Sequence, residues 1–164
     1  MKRPPLILYL LGALWILPLT LAGAVLALIY VPIGVRWSDG LLEIRTLWII
    51  GSPGAQTIGL IMFYTDPEER DRPRLRVHER VHVIQSMLWS PFAFAPAWLL
   101  HWAVNVMIVR PKPEDYPDYL PMRDRHGNPE PLWWRAYAAI CWERQAYRID
   151  HEFAEGKRPG AWGS

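Results

Sequence analysis

The chain of 164 residues contains very little cysteine, few histidines and no marked excess of either charge. A single cysteine, Cys141, excludes an intramolecular disulfide and a zinc–thiolate cluster. The net charge is only +2, without a basic stripe or a nucleic-acid motif, so nucleic acid is not an expected partner. Five histidines are too few for a histidine-rich membrane hydroxylase. The length suits one domain with a modest core.

Charge is also missing from residues 5–31, which form one long apolar run. Crossing a bilayer takes about 20 apolar residues, so residues 1–33 are predicted to be a transmembrane anchor that bends at Pro18. The competing interpretation is a cleaved signal peptide, since residues 22–24 have the small-x-small form of a cleavage site. Continuation of the apolar run to Val31 favours an uncleaved anchor.

The charges that flank this run predict its direction. Lys2 and Arg3 precede it directly, whereas Arg36 and Arg45 follow at wider spacing. The positive-inside rule then favours a cytoplasmic amino terminus, with the domain of residues 34–155 on the outer face.

The remaining sequence predicts an α+β fold, with a small antiparallel sheet packed on one central helix. Turn residues, β-formers and prolines mark the local elements. They are a hairpin over 35–50 around Asp39-Gly40, a loop at 51–54, a strand over 57–64, a charged loop over 66–74, a helix over 74–89, an apolar stretch over 90–109, a loop over 110–131, a helix over 132–153 and a disordered tail over 156–164.

The helix over 74–89 carries the motif H-E-x-x-H at residues 78–82. Positions i and i+4 share one helix face, so the imidazoles of His78 and His82 can reach a single Zn²⁺ ion. Glu79 lies about 100° around the helix, beside the ion, where a carboxylate can take a proton from zinc-activated water. The alternative is a helix with two surface histidines and a solvated Glu-Arg pair.

A catalytic zinc site needs a third protein ligand, and Glu143 is the preferred candidate. It is a lone acid on an otherwise apolar and aromatic helix face, where an ionised carboxylate is costly unless it is paired or metal-bound. The alternative for Glu143 is a salt bridge to a nearby arginine. The candidate arginines are Arg80, Arg144 and Arg148. Other candidate third ligands are His101, His126, Asp150 and His151.

The chain has H-E-x-x-H-x-x-Q at residues 78–85 and E-x-x-A-Y at residues 143–147. With these two motifs, residues 57–150 resemble the gluzincin zinc metallopeptidases, most closely their minimal bacterial forms. The resemblance implies His78, His82 and Glu143 as ligands, Glu79 as base and a strand at 57–64 that serves as an edge for an extended peptide. It also implies an enzyme of the bacterial inner membrane. Some gluzincins carry an acid where this chain has Tyr147.

That departure raises further roles for residues near the motifs. Tyr147 is predicted to stabilise the oxyanion, with His126 or an arginine as an alternative. Asp150 is predicted to orient a ligand histidine. Gln85 shares the face of the two histidines and is a hydrogen-bond partner or a functional residue.

The apolar stretch 90–109 separates the two halves of this site. A simple crossing would place His78 and Glu143 on opposite sides of the membrane. The stretch is therefore predicted to lie in the interface, to dip in and return, or to pack on the first span; otherwise the site lies at membrane depth in a water-filled cavity. A membrane protein or a peptide near the bilayer is the expected substrate.

The sequence therefore predicts a membrane-anchored zinc metallopeptidase. One alternative is a non-catalytic scaffold or assembly protein with a structural metal or none. Another is a di-iron oxidase, because Glu79 and His82 have the required i, i+3 spacing. That site needs a second such pair, which the sequence lacks.

Overall fold

The amino-terminal apolar run folds as two helices that meet at a bend of 64°. The protein is described by a computed structural model over residues 5–38, 40–50, 54–89 and 91–157. Helix α1 spans Leu6–Trp15 and helix α2 spans Leu17–Tyr30. Pro18 lies in the first turn of α2, where its missing N–H costs no helical hydrogen bond. The predicted bend is confirmed, and it falls at Ile16, two residues before Pro18.

Four strands form one mixed sheet in the order β1-β2-β4-β3. They are β1 (Pro32–Ser38), β2 (Leu41–Thr46), β3 (Ala55–Ile58) and β4 (Ile61–Tyr64). The β1–β2 and β3–β4 pairs are antiparallel, but β2 and β4 are parallel. The prediction of an antiparallel sheet is therefore wrong for this central pair. Every residue of β4 is buried, so β4 takes an inner position and β3 takes the edge.

The single strand predicted over 57–64 is a hairpin instead. Gly59 has φ +61° and turns the chain between β3 and β4. A Cβ at this position would collide with Thr20 of α2, so only glycine fits. The Thr20 hydroxyl accepts a hydrogen bond of 3.2 Å from the backbone N–H of Leu60. The many β-formers around Gly59 hide this turn in the sequence.

The sheet lies between α2 and the helix that carries the motif. Ala27 and Tyr30 of α2 pack on Phe63 at one face of the sheet. On the other face, Met62 lies in a cluster with Leu75 of helix α4. This helix spans Pro73–Leu88, which confirms the predicted helix over 74–89. The charged segment before it was predicted to be loop, but it contains a short helix α3 at Pro67–Asp71.

A second apolar helix follows α4 almost at once. Helix α5 spans Pro91–Val104 and continues as a π-helical turn at Asn105–Val109. By length and composition, Phe92–Val109 could cross a membrane; α1 and α2 pass the same test only as a bent pair. Leu99 and Leu100 are exposed, whereas the Asn105 amide is buried and donates to the carbonyl of Ala136.

The carboxyl-terminal part forms two helices where one was predicted. Helix α6 spans Leu132–Ala138 and helix α7 spans Cys141–Ala154. Ile140, between them, is extended and fully buried, so the chain turns there. The break lets α6 pack against α5 while α7 packs against α4. The region 110–131 is mostly irregular, as predicted, with one short 3₁₀ turn at Pro113–Asp115.

The fold is therefore a mixed α+β arrangement of helices around a small sheet. Some predictions fall outside the described residues. They concern Lys2, Arg3, Asp39, the loop residues 51–53 and the tail from 158 onward.

Candidate metal centre

Two histidines of α4 face one another across one helical turn. The Nε2 atoms of His78 and His82 are 3.1 Å apart. Their spacing of four residues places both rings on the face of α4 that meets α7. This face is buried: only 4% of His78 is exposed. Both imidazoles therefore point at one small volume inside the protein.

Glu143 of α7 completes the group. Its Oε2 lies 3.4 Å from Nε2 of His78 and 3.3 Å from Nε2 of His82. The three candidate ligand atoms all lie within 4.8 Å of one another. Helix α7 is strongly amphipathic, and Glu143 is a carboxylate on its buried side. The structure thus brings together the three residues predicted as ligands.

Neighbouring groups determine where each imidazole carries its proton. The Nδ1 of His78 lies 3.0 Å from a carboxylate oxygen of Asp150, which can only accept when ionised. The Nδ1 of His82 lies 2.9 Å from Oε1 of Gln85. The amide nitrogen of Gln85 donates to the carbonyl of Trp142 and to Gln145, which fixes the amide orientation. Both Nδ1 atoms are therefore donors, and a neutral ring leaves a lone pair on Nε2.

When both rings are neutral, lone pairs of the two Nε2 atoms and of Oε2 of Glu143 point at one another with no hydrogen between them. Oε2 of Glu143 is buried, and it accepts no hydrogen bond within the described part of the chain. Such an arrangement is repulsive unless a cation or added protons enter it. Two imidazoles and one carboxylate are a donor set that zinc accepts, and other divalent metals bind such sets too. The residues therefore fit a divalent metal ion.

The electrostatics of the cluster favour positive charge at this point. Burial by itself lowers the pKa of His78, but the adjacent carboxylates of Asp150 and Glu143 raise that pKa to about 10. Burial raises the pKa of Glu143, yet the nearby His82 and His78 hold it well below its ordinary value. A buried carboxylate that stays ionised is what a cation site requires.

Glu79 lies beside the cluster rather than in it. It is only 4% exposed, and its Oε2 has no hydrogen-bond partner among the described residues. It lines a cavity of about 320 Å³ together with His82 and Glu143. A buried carboxylate oxygen left unpaired beside a cavity is available to exchange a proton with a molecule inside it.

The cavity joins the cluster to the rest of the fold. Its polar floor comes from α4 and α7, and the edge strand β3 runs along one wall. The other walls are apolar and aromatic, with Leu19 from α2, Phe94 and Trp98 from α5, and Tyr137 from α6. The donor cluster therefore borders a cavity with mostly apolar walls.

Tyr137 and Trp98 were missed from the sequence. The indole Nε1 of Trp98 donates to Oε1 of Glu143 over 3.2 Å. Burial raises the pKa of Tyr137 well above its ordinary value, and the adjacent Glu143 raises it further. Tyr147, the predicted oxyanion group, instead packs on the ring of His78 with centroids 4.5 Å apart. No local motif marked either missed residue, because both positions depend on how α5 and α6 pack.

Asp150 lies where it was predicted to orient a ligand. One oxygen contacts His78, and the other accepts a hydrogen bond of 2.6 Å from Arg74. The remaining candidate third ligands lie elsewhere: His101 packs on Trp142, and His151 stacks on Tyr119. His126 lies in an exposed loop beside Arg125.

Two of the arginines considered as partners of Glu143 have other contacts. Arg148 pairs with Glu152, and the Arg144 guanidinium lies over the ring of Tyr116. The polar contacts described for Glu143 are with His78, His82 and Trp98, and the Tyr137 side chain also hydrogen-bonds to it.

Comparison with known proteins gives no relative. No model of a protein family matches the chain, and neither does any curated protein or any solved structure. The function of the chain has to be inferred from the site itself.

Proposed function

We propose that the chain is a membrane-anchored zinc metallopeptidase of gluzincin type. The observation that carries this proposal is the convergence of Nε2 of His78, Nε2 of His82 and Oε2 of Glu143 at one buried point beside a cavity. Structural zinc sites usually have four protein ligands, whereas catalytic sites have three and keep one position open. Three donors next to a cavity favour the catalytic kind over a structural metal in a scaffold protein.

His78, His82 and Glu143 would hold the metal. Zinc, when bound, supplies a Lewis acid that activates water and polarises a scissile carbonyl. Asp150 and Gln85 keep the two imidazoles in the tautomer that offers Nε2, so the ligand atoms need little rearrangement on metal binding.

Glu79 would move the proton. Its unpaired Oε2 accepts a proton from the attacking water and then donates it to the leaving amine nitrogen. Because this oxygen forms no hydrogen bond in the described protein, the proton can be taken up without breaking an existing contact. Tyr137, at the cavity wall, and Tyr147, against His78, are the two phenols close to the site.

The cavity suits an extended peptide. Strand β3 is at the edge of the sheet, and no further described strand pairs with its outer side. An edge strand offers alternate N–H and C=O groups that can bind a substrate backbone. The apolar wall opposite would receive a bulky apolar side chain of that substrate.

The exposed surface supports a position at a membrane. Large apolar side chains stay exposed on α1, α2 and α5, including Leu8, Leu28 and Leu100. Patches of this kind mark membrane or protein contact sites. An inner-membrane protein with its domain on the outer face, as the flanking charges predict, would meet substrates that are membrane proteins or peptides near the bilayer.

The packing of α5 supports the prediction that this helix does not cross the membrane as a simple span. Asn105, near its end, contacts Ala136, whereas Phe94, near its start, lies against Trp142. The chain of α6 and α7 therefore runs back beside α5 and returns to the level of α4. On the proposed function, this arrangement would keep both halves of the site on one side of the bilayer.

The proposal is tested by metal analysis and peptidase assay of the full-length protein in nanodiscs. Wild type is expected to contain about one zinc per chain and to cleave peptides from an apolar-rich library. Glu79→Gln should keep the zinc and lose about 10²–10⁴-fold in turnover. Zinc in both proteins without any cleavage would favour the scaffold alternative, and full activity of Glu79→Gln would overturn the assigned base.

A further inference from the structure

The apolar helix α5 sends one polar group into the metal centre. Trp98 is on the side of α5 that faces the protein, and its ring packs against Tyr137 with centroids 5.6 Å apart. Its Nε1–H donates to Oε1 of Glu143. A largely apolar helix therefore contacts Glu143, the candidate ligand that α7 supplies.

The two oxygens of Glu143 have different surroundings. Oε1 accepts the indole hydrogen bond at 3.2 Å, while Oε2 faces the two histidines and accepts no hydrogen bond from the described residues. A carboxylate can otherwise rotate and present either oxygen or both to a cation. The indole thus selects the oxygen that points at the imidazoles.

Glu143 depends on such a contact because its own helix gives it little support. It lies in the first turn of α7, immediately after the break at Ile140, and its side chain extends away from α7 toward α4. A glutamate side chain has three rotatable bonds, so holding it in one orientation costs entropy unless partners fix it. Trp98 supplies a partner from a separate element.

We propose that Trp98 is a positioning residue that makes the affinity of the metal centre depend on the docking of α5. It holds Oε1 of Glu143 and so directs Oε2 toward His78 and His82. The inference rests on the proposed function, since it takes these three residues as the ligands of a divalent metal.

Another tryptophan of the same helix provides a matched control. Trp102 lies one turn further along α5, and its Nε1 donates over 3.1 Å to the backbone carbonyl of Trp133, away from the site. Trp98→Phe and Trp102→Phe each remove one indole N–H and replace an indole of α5 by a smaller phenyl ring. Only the first removes a contact with a candidate ligand.

The test measures Zn²⁺ affinity by chelator competition, and the Co²⁺ absorption spectrum, for both variants in the full chain. We expect Trp98→Phe to bind Zn²⁺ at least about tenfold more weakly than wild type and to show an altered Co²⁺ spectrum, whereas Trp102→Phe matches wild type. Equal affinities and spectra in all three proteins would overturn the inference and leave the metal site intact. A wild type that binds neither ion would overturn the proposed function itself.

A second pair of variants separates the hydrogen bond from ring packing. Replacement of Trp98 by benzothienylalanine keeps the ring size and exchanges the N–H for sulfur, with the same replacement at Trp102 as control. Weaker Zn²⁺ binding is expected only at position 98. Unchanged binding there would overturn the positioning role, even if Trp98→Phe had lost affinity through poor packing or misfolding.

Discussion

The cavity has a polar side, built by α4 and α7, and an apolar side, built by α2 and α5. The helices of the polar side bury charged groups, whereas the helices of the apolar side leave large apolar side chains exposed. On the polar side, His78, Glu79 and Glu143 are almost fully buried. On the outer faces of the helices that build the apolar side, Leu100 of α5 and Leu28 of α2 stay exposed. On the proposed function, a bilayer would cover the exposed apolar faces, and a bound cation would stabilise the buried polar groups.

The largest expected effect comes from removing a ligand on the polar side. Glu143→Ala leaves two imidazoles without a carboxylate and should abolish stoichiometric zinc binding. The control is Glu152→Ala, which removes an acid of the same helix that pairs with Arg148 outside the site. Metal content after gel filtration distinguishes them. Equal zinc content in both variants would contradict this expectation, because zinc binding would then not require the Glu143 carboxylate of α7.

A substitution in the β3–β4 turn tests whether α2 is fixed to the site. Gly59→Ala combines a positive φ with a collision against Thr20, so we expect a loss of about 2–4 kcal/mol in unfolding free energy. Gly127→Ala has a similar φ but open space around its Cβ, so its loss should be about 1–2 kcal/mol. Denaturant unfolding measures both. Equal losses would mean that α2 is loosely attached.

A charge on the exposed face of α5 tests the apolar side. Leu100→Asp should raise the apparent free energy of membrane insertion of residues 91–109 by roughly 2.5–3.5 kcal/mol if the position lies deep in the bilayer, and by less near the interface. Leu100→Ala, which stays apolar, serves as control. Glycosylation mapping in microsomes gives the values. Indistinguishable insertion of the two variants would show that this face meets water.

The smallest effect is expected from loss of the Asp150 carboxylate, which contacts the candidate ligand His78. Asp150→Asn removes the charge that faces Nδ1 of His78 but keeps the size, so zinc affinity should fall about 10–100-fold without complete loss. Asp118→Asn, at an exposed position, should leave affinity unchanged. Chelator competition measures both. An unchanged affinity of Asp150→Asn would mean that His78 is oriented by packing alone.

The polar side was the more predictable of the two from sequence. The i, i+4 spacing of His78 and His82 is a local property of one helix, and a lone buried acid at 143 signals a partner. The contacts of Trp98 and Tyr137 depend on long-range packing, for which an apolar run gives no register. The same holds for the sheet, where β2 pairs in parallel with β4, a strand that does not follow it directly in the chain, and the turn at Gly59 packs against Thr20 of α2.

The pairing of α4 with α7 also has a consequence for biosynthesis. A growing chain presents His78 and His82 before Glu143 leaves the ribosome, so the candidate metal site lacks one donor until α7 has been made. Helix α5, which holds Glu143 through Trp98, is made in between. On the proposed function, the peptidase is inactive while it is being synthesised. It becomes active only after α5 has been delivered to the bilayer.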